Sequence, residues 1–173
     1  MADADDIDAR IDALAAEYGD VPVETAVTDL SDSQYQRARR LHDRGVPGAA
    51  RVWVERDDEA LLVREQSRPD SWGVPGGLID PGESAPAAGE REVREETGVE
   101  CTIVDVSYVY RVTRRHAEGE APSFEEFAVA FVAEYVRGEP TRQPEEISEV
   151  AWWDTLPASV HSPADRLWNE RFG

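Results

Sequence analysis

The stretch that most constrains this chain runs from Gly77 to Val99, GLIDPGESAPAAGEREVREETGV. Ser84 is placed to cap a helix that ends at Gly98, a residue type favoured just past a helix end. On such a helix Glu92 lies three and four residues before Glu95 and Glu96, so the three carboxylates share one face. Like charges at that spacing cost about 0.2 to 0.5 kcal/mol per pair. The arrangement is unfavourable for a helix alone and favourable around a divalent cation, and donors that are all oxygen point to Mg2+ or Mn2+ rather than zinc. Gly77, after Pro75 and Gly76, leaves the backbone free of side-chain bulk where loop meets helix.

The residues Gly77, Glu83, Arg91, Glu92, Glu95, Glu96 and Gly98, with apolar Val93 and Val99, match G-x5-E-x7-R-E-U-x-E-E-x-G-U at every specified position. In a chain of this composition about a few chance matches per million are expected, so a merely solvated acidic helix is a poor rival. The pattern is the Nudix box, and the chain resembles the Nudix hydrolases, which cleave a nucleoside diphosphate linked to another group. The resemblance implies an α/β fold, the Nudix-type α/β/α sandwich with a mixed sheet, over roughly Ala49 to the C-terminus. It implies that Arg91 pairs with Glu83 in the preceding loop and fixes that loop against the helix. It also implies water attack on a phosphorus of a pyrophosphate, with metal held by Glu92, Glu95 and Glu96. The general base is Glu92 or a glutamate from a later loop, the candidates being Glu118, Glu120, Glu125, Glu145, Glu146 and Glu149. Glu146, just before a strand, is the preferred extra ligand or base.

Phosphates also want a cation. Arg64, at the end of the strand leading towards the box, is the first candidate, followed by Arg51 and Arg111; an arginine fork suits phosphate oxygens. Trp72, Tyr110 and Phe124 are candidates for stacking a base, although aromatics at such positions are more often core. His42 and His116 read as surface residues without chemistry. A nucleoside triphosphate, ADP-ribose or another nucleotide sugar all fit as substrate. Arg114, Arg115, His116 and Ala117 stand where some subclasses carry a proline or tyrosine marker, and match neither. A fold-sharing isomerase of isopentenyl diphosphate needs a catalytic cysteine that Cys101 is not placed to be. The alternative from another class is a catalytically silent, nucleotide-binding regulator, which usually has a broken box.

The net charge of -19, with 18 basic residues that are all arginine, is the second loudest feature. Such a surface works against binding nucleic acid or anionic membranes. Acidity with no lysine resembles the proteins of salt-accumulating halophiles, a GC-rich genome being the duller explanation. Cys101, the single cysteine, excludes an internal disulfide and reads as a buried apolar residue. With no membrane-length apolar run and an acidic N-terminus, the expected setting is the cytoplasm.

Residues 1–46 read as a helical N-terminal extension and 47–173 as the hydrolase domain. Ile7, Ile11, Leu14 and Tyr18 recur at helical spacing up to Gly19, and Ser31 with Gln34 opens a second helix as a capping box. Val21 to Asp29 is expected to be a link. The extension is expected to pack or to make a homodimer rather than touch substrate. From Ala49 a period of two sets in: a hairpin turning at Asp57 and Asp58, strands over Thr102 to Val112, Phe124 to Val136 and Ile147 to Trp153, and a mobile loop over Thr113 to Ser123. A last helix is announced by Ser162 as cap and Pro163 in its first turn.

Overall fold

The computed structural model describes residues 4–119 and 121–173. Helix α1 covers Ala4–Tyr18, strand β1 Val23–Leu30 and helix α2 Asp32–Asp43. Then come β2 (Gly48–Arg56), β3 (Glu59–Glu65), β4 (Trp72–Gly73), β5 (Gly76–Leu78) and α3 (Ala85–Thr97). The chain finishes with β6 (Glu100–His116), β7 (Phe124–Arg137), β8 (Ile147–Trp153) and α4 (Ala164–Phe172).

The strands form one mixed sheet in the order β1-β6-β7-β2-β3-β4, with β5 pairing β2 and β8 pairing β3. The β1–β6 and β2–β7 pairs are parallel, whereas β6–β7, β2–β3 and β3–β8 are antiparallel. Side chains alternate across β7: Phe127, Val129, Phe131 and Ala133 pack on one face with Ile7 and Leu14 of α1 and Val93 of α3. Ala130 and Val132 pack on the other with Leu167 and Trp168 of α4. Helices therefore cover both faces, as the α/β/α sandwich requires. Because both faces are covered, the central strands are buried on both sides: Val52 and Val54 enter the first core, and Trp53 between them is fully buried in the second.

Four local expectations are corrected. The Val21 to Asp29 link is largely strand β1, whose Val23 to Leu30 run beside Val109 to His116. Its β-branched residues on alternate positions are the pattern of a strand at a sheet edge, so the first 46 residues are not purely helical. Second, Thr113 to His116 belong to β6 rather than to a loop, because β1 pairs with all four and β7 pairs with Thr113 and Arg114 from the other side. Third, α4 starts after Pro163 with no side-chain cap, so Ser162 does not cap it. Fourth, His42 and His116 are buried rather than on the surface, in an aromatic cluster where Tyr35 meets His116 and Phe124 edge-on.

Candidate active site

Helix α3 begins and ends as its sequence directs. The Ser84 side chain accepts a hydrogen bond from the Ala87 amide at 3.3 Å, and Gly98 takes a left-handed φ of 70° while its amide donates to the Arg94 carbonyl. Between these ends Val93 is buried against the sheet. Glu92, Glu95 and Glu96 line one wall of a cleft of about 680 Å3.

Two glycines let the β5 strand close on this wall. A Cβ on Gly77 would sit 2.6 Å from the Glu92 carboxyl carbon, so a side chain there would displace the Glu92 carboxylate. Gly76, at φ 146°, passes so close to β2 that a Cβ would lie 2.2 Å from the Ala50 carbonyl oxygen. In return the Gly76 amide donates to Glu96 Oε2 at 3.0 Å.

Arg91 ties the preceding loop to the helix. Its Nε and Nη2 each donate to one oxygen of Glu83 at 2.9 Å, and Nη2 also reaches the Leu78 carbonyl. Its Nη1 donates to Glu92 at 2.8 Å and to Glu95 at 3.3 Å. A two-oxygen fork of this kind adds directional specificity to charge attraction. The hydrogen bond from Arg91 lowers the Glu83 pKa, and Arg91 is itself raised, first by Glu83.

Glu92 and Glu96 behave oppositely to Glu83. Burial raises Glu92 above the ordinary carboxylate value, against the pull of Arg91. Glu96, only 6% exposed, is pushed up to about 7 by burial, opposed by the Gly76 amide and by Arg51, with Glu92 and Glu65 adding repulsion. Among the described residues no three acidic, histidine or cysteine side chains converge as a ready-made metal cage. Even so, two desolvated carboxylates that repel each other, with a third beside them and an oxygen-only donor set, fit a divalent cation.

The opposite wall is the turn before β8. The Gln143 amide donates to the Glu96 carbonyl, the Thr141 amide to that of Thr97, and the Gln66 amide to the Glu146 carbonyl. These bonds carry Glu145 and Glu146 to the cleft, where the Glu146 charge contributes to raising Glu92.

Of the three candidate arginines, the structure brings Arg51 to the cleft and keeps the other two out of its lining. Arg51 Nη1 donates to the Gly76 carbonyl at 2.8 Å. Arg64 is corrected as the first candidate. It is absent from the cleft lining, lies over the Trp72 ring at 4.6 Å from its centroid and pairs with Glu149 at 2.9 Å. Arg111, on β6, pairs with Asp8 of α1 and Glu125 of β7. Glu118 also lies outside the cleft lining, and Glu120 falls outside the described residues. Trp72 and Phe124 are buried, and Tyr110 meets Tyr108 edge-on.

Sequence reasoning missed Arg37, which reaches the cleft from α2, Glu65 at the end of β3, and Gln66 and Ser67 just beyond it. Arg37 gave no separate signal among Arg37, Arg39 and Arg40.

The NUDIX domain model matches residues 46–171, most of the chain and all of this cleft except Arg37. The chain belongs to the NUDIX domain family. Among curated proteins it is similar to an NAD-capped RNA hydrolase, NudC, of Stutzerimonas stutzeri, at 38% identity over 110 residues, 62% of this chain and 37% of that one. A mouse diphosphoinositol polyphosphate phosphohydrolase, 3-alpha, is 53% identical over 45 residues, 26% of this chain and 27% of the mouse protein. The chain thus spans less than two fifths of the length of the curated relatives it matches. Among solved structures, a MutT NUDIX hydrolase from Burkholderia pseudomallei superposes with a TM-score of 0.54 at 25% identity, covering 73% of this chain and 98% of that one. A UDP-X diphosphatase gives 0.52 at 25% identity, covering 83% and 68%. The similar NUDIX proteins thus carry names for several different substrates around a common fold.

Proposed function

We propose that this chain is a divalent-metal-dependent pyrophosphohydrolase that splits the diphosphate linkage of a nucleoside diphosphate derivative. The single observation that carries the reading is the pair of desolvated glutamates, Glu92 and Glu96, on an intact family box at a polar cleft. Glu92, Glu95 and Glu96 would hold Mg2+ or Mn2+, which supplies charge neutralisation on the phosphate oxygens and lowers the pKa of bound water. Arg91 and Glu83 hold the box loop in place, and Gly77 keeps that loop clear of Glu92. Arg51, which donates to the Gly76 carbonyl beside Glu96, binds a phosphate oxygen. The attacking water forms a new P–O bond as the bridging P–O bond breaks, and its proton passes to a carboxylate. We assign that base to Glu146, with Glu92 as the alternative.

The substrate is a small nucleotide: a nucleoside triphosphate, ADP-ribose or a nucleotide sugar. A capped RNA end is a second reading, favoured by the name of the NudC relatives and opposed by the net charge of -19. No described helix is long and apolar enough to cross a membrane, and we propose a cytoplasmic setting, salt-rich as the acidity and absent lysine suggest. We keep 1–46 as an extension to a 47–173 domain. A homodimer is supported by Val23 and Val27, exposed on edge strand β1.

Phosphate release from a panel of these compounds, including a capped oligonucleotide, with Mg2+ or Mn2+ at low and molar KCl, tests the reading. Turnover of one class, lost about 100-fold or more in Glu96→Gln, is expected. Silence across the panel, or full activity in Glu95→Gln and Glu96→Gln, would favour the silent binding protein instead. Unchanged rates in Glu146→Gln would remove that base.

A further inference from the structure

A second hollow of about 310 Å3 adjoins the polar cleft, sharing Arg37 and Leu78 with it. It lies between α2 and the sheet, walled by Ala38 and Leu41 from the helix and by Val112 and Ala128 from β6 and β7. Its size is at the lower end of ligand pockets, roughly 300 to 1,000 Å3, and its walls are largely apolar where the neighbouring cleft is acidic. At its rim Arg114 donates to Glu126 at 2.7 Å, which fixes a donor and an acceptor beside the apolar slot. Leu78, an apolar side chain 43% exposed, lines both.

We propose that this groove under α2 binds the nucleoside half of the substrate, with Arg37 bridging to the phosphates held in the cleft. The inference rests on the pyrophosphohydrolase reading for the location of the diphosphate. A nucleoside diphosphate derivative has the same two-part character as the two hollows: a polyanion joined to a flat, uncharged ring with a polar edge. Small side chains from both the helix and the sheet, Ala38 and Ala128, leave a slot suited to a ring, and the Arg114–Glu126 pair that also lines it offers hydrogen bonds to its edge. A sugar or other hydroxylated group would gain little from such walls. The helix that precedes the family-matched region thereby acts in substrate selection, and Arg37 is a specificity residue rather than a catalytic one.

The test compares binding of ADP, GDP, CDP and UDP with binding of inorganic pyrophosphate by calorimetry, with Ca2+ in place of the active metal. In the unaltered protein at least one nucleotide is expected to bind about tenfold or more tightly than pyrophosphate, and in Ala38→Trp, which fills the slot, that preference is expected to fall to about threefold or less. Ala128→Leu serves as a second slot-filling variant if Ala38→Trp does not fold, and thermal unfolding checks both. A preference retained in a folded variant, equal binding of nucleotide and pyrophosphate by the unaltered protein, or binding of neither, overturns the proposal. Turnover with Mg2+ reads the hydrolase activity separately, so hydrolysis with an unchanged preference would fail the groove alone, and nucleotide-selective binding without hydrolysis would fail the hydrolase reading alone.

Discussion

Glu96 concentrates the tension of the site in one side chain. Its carboxyl is nearly sealed from water, and burial pushes its pKa up to about 7 from an ordinary 4.5. Between pH 4.5 and 7 the folded chain holds a proton there that the unfolded chain has released. In the metal-free protein this group's contribution is therefore greatest at low pH and diminishes as pH rises through that window. Glu96→Gln removes the buried charge while its amide oxygen can still accept from the Gly76 amide. The metal-free variant is expected to unfold at a higher temperature than the unaltered protein at pH 8, and the gap is expected to close near pH 4.5. Thermal melts in chelator across that range check it, and a variant that melts lower at pH 8 would contradict the buried-charge account. The sequence made this triad legible because helix spacing alone puts residues 92, 95 and 96 on one face. It could not rank their burial: Glu95 keeps a side-chain exposure of 53% where Glu92 keeps 15%, a difference set by how close the β5 strand and the turn before β8 approach.

At the scale of elements, α3 was readable end to end because Ser84 and Gly98 mark it chemically, and the alternation of β7 predicted its two faces. Strand β1 and the end of β6 were not readable, since a short β-branched run between helices reveals neither its partner nor the distance it pairs over. The same limit hid Arg37 and misdirected the choice of Arg64. Strand periodicity gives which residues share a face; which face fronts the cleft is decided by the packing of α3. Helix α1, before the family-matched region, inserts Ile7 and Leu14 into the same core as Val93 and Phe131. Removing a buried leucine costs about 2 to 5 kcal/mol, by lost transfer energy and a residual cavity. Leu14→Ala is expected to lower the global unfolding free energy by that order in a single cooperative transition, as read by chemical denaturation followed at the tryptophans. A two-step transition, or no change, would show α1 to be an independent attachment.

Across the whole molecule, the sheet brings together chain segments distant in sequence: the box helix, the turn before β8, β2 with Arg51, and α2 with Arg37. An excess of 19 negative charges makes this convergence costly in dilute solution, and salt that screens exposed charges leaves the buried pair at Glu92 and Glu96 much less affected. On the proposed reading, the fold positions these glutamates to bind a divalent cation. The most direct measurement is calorimetric titration of Mn2+ into the unaltered protein and into Glu96→Gln, in high KCl, at pH 6 and pH 8. Binding is expected to be tighter at pH 8, because the Glu96 proton must leave, and weaker by about tenfold or more in the variant. Equal affinity in both proteins, with no dependence on pH, would contradict it.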